Sequence, residues 1–333
     1  MAIVDAHLDL AYNAVRGRDV LKPADLQKPD SDGTPSVGLP DLRRGGASLI
    51  CASIFCQPAG VGSGGYSTAD EAHAMALQQL RWYEAQAAAG HFIIVTDSAA
   101  LPTVGAADSG GGLPVVLLME GAEPVRSEED LRFFHAAGLR IVGLAWRRTR
   151  FAGGTGAPGP LTAEGRWLVR RIDELGMIHD VSHLAEEAFW QLLEQSRGPV
   201  MASHSNARAV VPTDRQLGDA MIRALAARGG VVGMNLYDRF LVPPEELRRR
   251  RAAVGDIVRH IRHICDLLGN CRHVGIGSDM DGGFGREHLP EGIHNWSDIR
   301  SLEDALSAAG FADADVAAIM SGNWLRFMAG ALA

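Results

Sequence analysis

Eight short, nearly unbroken apolar runs punctuate this chain, and helical patterns lie between them. The runs occupy residues 2–6, 47–55, 114–119, 139–145, 177–181, 199–203, 230–236 and 273–278, with a further strand-like piece at 91–95. A strand that is apolar on both faces needs cover on both faces, which is the situation of a parallel sheet wrapped by helices. Helices are expected at 68–89, 128–137, 162–175, 185–195, 216–228, 244–268, 297–309 and 313–332. Thr68 caps the first of these, with Asp70 and Glu71 in its opening turn. Eight such units predict an α/β fold of the (β/α)8 TIM-barrel type. A doubly wound open sheet is the alternative, but no GxGxxG follows the first strand.

The stretches at 28–46, 60–65, 110–112 and 153–159 read as loops. None divides the chain into parts of different composition, so residues 1–333 are read as one domain. Apolar residues make up 47% of the chain and the formal charge is −8, which excludes a disordered chain and any bulk attraction to nucleic acid or anionic lipid. No apolar run reaches the ~18 residues of a membrane span, and Met1-Ala2-Ile3-Val4 has no basic segment before it, so a cytoplasmic protein is expected. Cys51, Cys56, Cys265 and Cys271 form no CxxC pair and read as core residues. Of the 32 basic side chains only Lys22 and Lys28 are lysines, both in a polar stretch. Chemistry that needs a buried lysine is therefore disfavoured.

The chemistry-bearing residues fall at the ends of the runs. The first ends in Asp5-Ala6-His7-Leu8-Asp9, the third in Met119-Glu120, the fifth in His179-Asp180-Val181-Ser182-His183, the sixth in Ser203-His204, and the eighth in Ser278-Asp279-Met280-Asp281. In a parallel barrel all strand C-termini meet at one face, where active sites lie. His7 and Asp9 are two apart and project to one side of an extended chain, so they can grip one ion; a strand-end turn is the alternative. A carboxylate at Glu120, after an apolar run, needs a cation or hydrogen bonds; it reads as a turn residue or as a bridge between two metals. His183 and His204 are 21 residues apart, one barrel unit, which balances the ligand reading against that of satisfied core histidines. His179 shares the parity of His183 but lies deeper, and is read as supporting the ligands. Asp279 and Asp281 share parity too: one reads as a general acid or base, the other as holding a turn or a helix N-terminus. His260 and His263 are read as surface or groove residues. The four arginines at 248–251 are read as a solvated face opening a helix. No Gly-x-Ser-x-Gly elbow is present, and oxygen and nitrogen donors without thiolate suit Zn²⁺ or a similar ion.

Five segments together resemble the membrane (renal) dipeptidase family of zinc peptidases. They are Asp5-Ala6-His7-Leu8-Asp9-Leu10, Met119-Glu120-Gly121-Ala122-Glu123, Gly176-Met177-Ile178-His179-Asp180-Val181-Ser182-His183, Ser203-His204-Ser205-Asn206 and Gly275-Ile276-Gly277-Ser278-Asp279-Met280-Asp281-Gly282. They stand in the family's order and span nearly the whole chain. The resemblance implies a (β/α)8 barrel with two zinc ions per chain, bridged by Glu120. His7, Asp9 and Glu120 would hold one, and Glu120, His183 and His204 the other. Asp279 matches the acidic residue that handles the proton, and Arg215 the arginine that holds the substrate's carboxylate. Where several family members carry a histidine that contacts the tetrahedral intermediate, this chain has Trp146. Either Arg147, Arg148 or Arg150 replaces it, or the metals act alone.

The expected activity is hydrolysis of free dipeptides, with L-Xaa-D-Xaa among them, by a metal-bridging hydroxide. Arg215, Trp146 and Asp281 are the expected substrate contacts. The expected partner is a small dipeptide, with neither nucleic acid nor membrane; the sequence leaves open a homodimer. The rival readings are another metal-dependent amidohydrolase, acting on a lactone, amide or phosphoester, and a catalytically inactive binding homologue.

Overall fold

The structure, a computed structural model, describes residues 1–61, 64–103 and 111–333. Eight parallel strands carry it: β1 (Ile3–Leu8), β2 (Ala47–Phe55), β3 (Leu113–Glu120), β4 (Leu139–Gly143), β5 (Ile178–Asp180), β6 (Val200–Met201), β7 (Val232–Met234) and β8 (Val274–Ile276). They are hydrogen-bonded in the order β7-β8-β1-β2-β3-β4-β5-β6. An Ala202–Val232 bridge joins the last to the first and closes the ring. The strand-like piece Phe92–Ile94 pairs outside the ring, on the beginning of β3.

The two-residue period of the strands sorts the side chains. Val4, Ala6, Leu49, Cys51, Val116, Leu118, Ile141, Ile178 and Met201 fill the ring as one apolar cluster. Residues of opposite parity, such as Ile50, Ala52, Val115 and Leu117, pack outward under the helices. The main helices are α1 (Ala69–Ala88), α2 (Glu128–Ala136), α3 (Ala163–Glu174), α4 (Glu186–Gln195), α5 (Asp219–Ala227), α6 (Val254–Leu268), α7 (Ser301–Ala308) and α8 (Asn323–Ala331). Thr68 caps α1 with a reciprocal bond to Glu71. Trp324, Phe327 and Met328 of α8 join the interior cluster and seal the ring on the side away from the strand C-termini. Trp324 Nε1 donates to the Ile276 carbonyl at 2.8 Å.

Several elements differ from the sequence reading. The helix expected over 244–268 is two, Pro244–Leu247 and α6. Arg250 explains the break: its two terminal nitrogens meet both Asp256 oxygens at 2.6 and 2.8 Å, and one also reaches Glu246 at 2.8 Å. Asp256 accepts the Ala253 N–H, fixing the start of α6, so the arginine run joins two helices. The stretch 28–46 contains a helix, Leu39–Gly45, that Gly46 ends in the left-handed region at φ 82°. The glycine-rich 153–159 stretch lies in a hairpin, Ala152–Gly154 against Ala157–Leu161, whose composition reads as loop. The expected helix over 313–332 carries a π-turn at Ala318–Gly322. Residues 62 and 63 of the 60–65 loop, and Gly110, lie outside the described residues. Among the described residues no helix is long and apolar enough to cross a membrane.

Candidate metal centre

The top layer of the barrel interior is polar. Parity carries Ser53, Glu120, Asp180 and Ser203 inward, one step beyond the apolar layer of Cys51, Leu118, Ile178 and Met201. In β1 parity alone would send His7 outward. A register shift between Asp5 and Leu8 breaks the alternation there. His7 thereby turns inward and meets Glu120 and His204. Asp9 follows at the N-cap position of the short helix Leu10–Val15, yet its carboxylate caps nothing. It faces the His7 ring and takes a short hydrogen bond from Ser53 Oγ.

Three overlapping donor groups result: His7/Asp9/Glu120, Glu120/His183/His204 and His7/His204/Asp279, each with donor atoms within 4.8 Å of one another. Glu120 stands between the first two. Its Oε2 is 3.4 Å from His7 Nε2, while its Oε1 is 3.1 Å from His183 Nε2 and 3.2 Å from His204 Nε2. The two histidine Nε2 atoms are 2.9 Å apart. Lone pairs aimed at one another at that distance repel unless a cation or a proton lies between them. Tetrahedral donors at ~2.0–2.1 Å from a zinc stand roughly 3.3 Å apart, close to this spacing. His7 Nε2 is fully buried and has no hydrogen-bond partner. Asp9, Glu120 and Asp279 bring three buried carboxylates to one cluster. The donor set of imidazole nitrogens and carboxylate oxygens fits a borderline divalent cation.

The electrostatics say the same. Burial would lower the His7 pKa, but Glu120 and Asp9 hold it well above the usual imidazole value. Burial, with Arg215 and His7 as like charges, lowers His204 well below its usual value; burial and Arg215 bring His183 to about 4. Burial raises Asp279 to about 8, with Asp9 and Glu120 adding to the rise and His7 and Arg215 opposing it. Asn235 Nδ2 donates to Asp279 Oδ2 at 2.8 Å.

Backbone strain gathers here as well. Among the described residues three non-glycines have positive φ: His183 (65°), Asp279 (58°) and Asp281 (63°). The left-handed turn at His183 also breaks parity with His179, which points outward and pairs with Asp173 at 2.7 Å. His179 therefore does not support the ligands. Asp281, expected at the substrate, is also turned away. Its oxygens accept from Ser36 N, Ser36 Oγ and Val37 N, and Arg18 pairs with it at 3.0 Å. It fastens the 36–37 segment to the loop after β8, and both of its oxygens are taken by these partners. His260, expected at the surface, is fully buried; its Nδ1 accepts the Ala207 N–H and its Nε2 donates to the Leu241 carbonyl.

A cavity of ≈ 530 Å³ opens onto Asp9, Glu120, His183 and Asp279. Tyr12, Phe55, Trp146, Tyr237, Phe240 and Phe284 make much of its wall. Trp146 lies 5.9 Å from the His183 ring and 5.3 Å from Phe55, ring centre to ring centre. Of the three arginines after it, Arg147 lines the cavity, Arg148 is held by the Pro158 carbonyl, and Arg150 pairs with Glu123 and Glu164. Arg215 is buried and is not among the lining residues; it donates to Ser205 Oγ at 2.9 Å and to the His204 carbonyl at 2.6 Å, and its Nε has no partner. The sequence reading missed Asp180, Ser203, Thr155 and Asn235. Each binds a candidate ligand or Asp279 directly or through one hydroxyl, and adjacency to His204 was the one signal available for Ser203.

The sequence profile of the membrane dipeptidase family (peptidase family M19) matches residues 1–332. The chain belongs to this family. A metallopeptidase from Rhodobacter sphaeroides, solved with a phosphinate mimic of the dipeptide L-Ala-D-Ala, shares the fold with TM-score 0.83 and 28% identity over 98% of each chain. A Klebsiella pneumoniae protein of uncharacterised function is 36% identical over 226 residues, 65% of this chain and 81% of that one. Dipeptidase aclJ of Aspergillus oryzae is 30% identical over 66% of this chain and 52% of its own length. The matched region is about half the length of the fungal relatives. Membership fixes the (β/α)8 architecture and groups this M19 chain with metallopeptidases, which are hydrolases.

Proposed function

We propose that this M19 chain is a binuclear zinc dipeptidase that hydrolyses free dipeptides, including those with a D-residue at the C-terminal position. The observation that carries the reading is the split of Glu120: one oxygen faces His7 and the other faces His183 and His204. His7, Asp9 and Glu120 would hold one zinc, and Glu120, His183 and His204 the other. Bound metal ions supply a Lewis acid for the peptide carbonyl and lower the pKa of a water towards ~7, which gives a nucleophile at neutral pH.

The chain's own residues do the rest. Asp279 lines the cavity and is oriented by Asn235; it takes a proton from the attacking water and returns it to the leaving amine. Arg215, with an unpartnered Nε and a guanidinium fixed against Ser205 and the His204 carbonyl beside a ligand, draws the substrate's terminal carboxylate. That pairing restricts the enzyme to short substrates. Trp146 and Phe55 form an apolar wall beside His183 that takes a substrate side chain. Arg147 is the cation on the cavity wall near the position of the family's histidine, and supplies the donor which that histidine gives elsewhere. Support for the D-residue comes from the R. sphaeroides neighbour with its L-Ala-D-Ala mimic. The test is a panel of L-L and L-D dipeptides, lactones and phosphoesters on zinc-reconstituted protein. Cleavage of dipeptides, L-D pairs among them, is expected; turnover confined to lactones or phosphoesters, or none at all, contradicts the reading.

A further inference from the structure

Beneath the donor cluster one hydroxyl touches both of its halves. Ser203 Oγ lies 2.7 Å from His204 Nδ1 and 3.4 Å from His7 Nδ1. On its far side it is 2.5 Å from Asp180 Oδ2. Ser203 and Asp180 are buried, and Asp180 Oδ1 accepts two backbone N–H groups, from Ser182 at 3.0 Å and Ser203 at 2.9 Å.

A serine hydroxyl has one proton to give and two lone pairs. An ionised carboxylate only accepts, so at 2.5 Å the Ser203 proton goes to Asp180. Ser203 Oγ is then left able only to accept. The imidazoles that face it must present N–H at Nδ1, and an imidazole that ligates a metal is neutral, with one N–H. Both Nε2 atoms are therefore lone pairs. His7 Nε2 is the buried atom without a hydrogen-bond partner, and His204 Nε2 is the atom aimed at His183 Nε2 and Glu120. His183 lies outside this device: its Nδ1 meets Thr155 Oγ1 of the hairpin at 3.0 Å.

We infer that Asp180 and Ser203 form a buried clamp that fixes the tautomers of His7 and His204 together, so that one hydroxyl sets a ligand in each of the two metal positions. The inference rests on the proposed metal centre and adds to it residues that touch neither metal nor substrate. They are positioning residues. Ser203 is itself fixed: its backbone oxygen packs against Gly233 and Gly277, where a Cβ would collide with it. Fixing both rings through one atom couples the two positions, since a shift of Ser203 Oγ disturbs both ligands at once.

The experiment is zinc titration of the full chain, stripped of metal and competed against a chromogenic chelator, for wild type, Ser203→Ala, Ser203→Thr and Asp180→Asn. Partners of this kind typically contribute 10–100-fold in metal affinity. Ser203→Ala and Asp180→Asn are expected to weaken both binding steps by about that factor, and Ser203→Thr, which keeps the hydroxyl, to restore them. Nitrogen-15 NMR of the histidine rings gives a second readout: His7 and His204 of the zinc-loaded wild type carry their proton on Nδ1, and Ser203→Ala loses the hydrogen-bond shift at both. Equal zinc affinity in wild type and Ser203→Ala overturns the clamp, and so does a loss confined to one of the two steps. If Ser203→Ala does not fold, Asp180→Asn and Ser203→Thr carry the same test. Wild-type protein that binds no zinc refutes the metal centre itself, whereas wild type that binds two with variants that bind equally well refutes the clamp alone.

Discussion

Replacing Gly277 by alanine tests how tightly the barrel top is packed around the donors. A Cβ at Gly277 would lie against the Ser203 carbonyl oxygen far inside the 3.0 Å that real Cβ atoms keep, with the Ser203 carbonyl carbon at 2.8 Å and Gly233 Cα at 3.2 Å. These are backbone atoms, so no side-chain rotation relieves the clash; β8 and the end of β6 must part by about an ångström or more. Overpacking of a filled core typically costs 1–3 kcal/mol, and a backbone clash belongs at the upper end, about 3 kcal/mol. For a chain of this size that is a fall in Tm of roughly 6 °C, at ~2 °C per kcal/mol. The displacement also moves Ser203 away from the Nδ1 atoms of His7 and His204. Thermal unfolding of metal-free protein reads the first effect, and zinc retained after dialysis reads the second. Gly255→Ala, on α6 with open space at its Cβ, is the control. A Gly277→Ala protein with the Tm and zinc content of wild type would refute the reasoning.

Three further outcomes follow from the same geometry. Glu120→Gln removes the one charge that faces both halves of the cluster, so zinc affinity should fall at both positions by about 100-fold or more, beyond the effect of an outer partner; loss at a single position shows that Glu120 does not bridge. Arg215→Met should lower kcat/KM for free dipeptides by roughly 2–4 kcal/mol, with zinc content measured alongside because the guanidinium also holds the His204 carbonyl; unchanged kinetics remove it from carboxylate binding. His260 gives a stability prediction away from the metal centre. Burial lowers its pKa from 6.5 to about 4, so the folded state binds fewer protons than the unfolded state between those values. Stability is thus full above pH ~6.5 and falls as pH drops towards 4, by about 1.4 kcal/mol per unit and roughly 3 kcal/mol in all. Urea unfolding of metal-free His260→Gln should lack that part of the slope; a slope equal to wild type contradicts it.

The barrel was legible because burial on both faces leaves a pattern in the residues themselves. The run 114–119 is apolar at every position and 47–55 is interrupted only by Ser48 and Ser53, and polar residues at the ends of several runs, Glu120 and His204 among them, mark the mouth. Register and turns were not legible. The bulge that brings His7 inward leaves no trace in Ile3-Val4-Asp5-Ala6-His7-Leu8, and the left-handed turn at His183 defeats a parity argument carried from His179. Asp279 and Asp281 look alike in sequence and share φ near 60°, yet one lines the cavity and the other is consumed by Ser36, Val37 and Arg18, 244 positions away or more. Such partners are set by tertiary contact between distant loops, and no local spacing encodes them. The hairpin around Gly153 and Gly159 was hidden for a related reason: two glycines let strands cross that composition alone reads as loop.

The central claim is that donors from the ends of β1, β3, β5 and β6 converge on a pair of cations shared through Glu120. The most direct measurement is a crystal of the full chain grown with zinc, with anomalous scattering recorded on both sides of the zinc edge. Two zinc peaks are expected, one among His7, Asp9 and Glu120 and the other among Glu120, His183 and His204. A map with no peak there, or a single peak that leaves one Glu120 oxygen without metal at saturating zinc, contradicts the account.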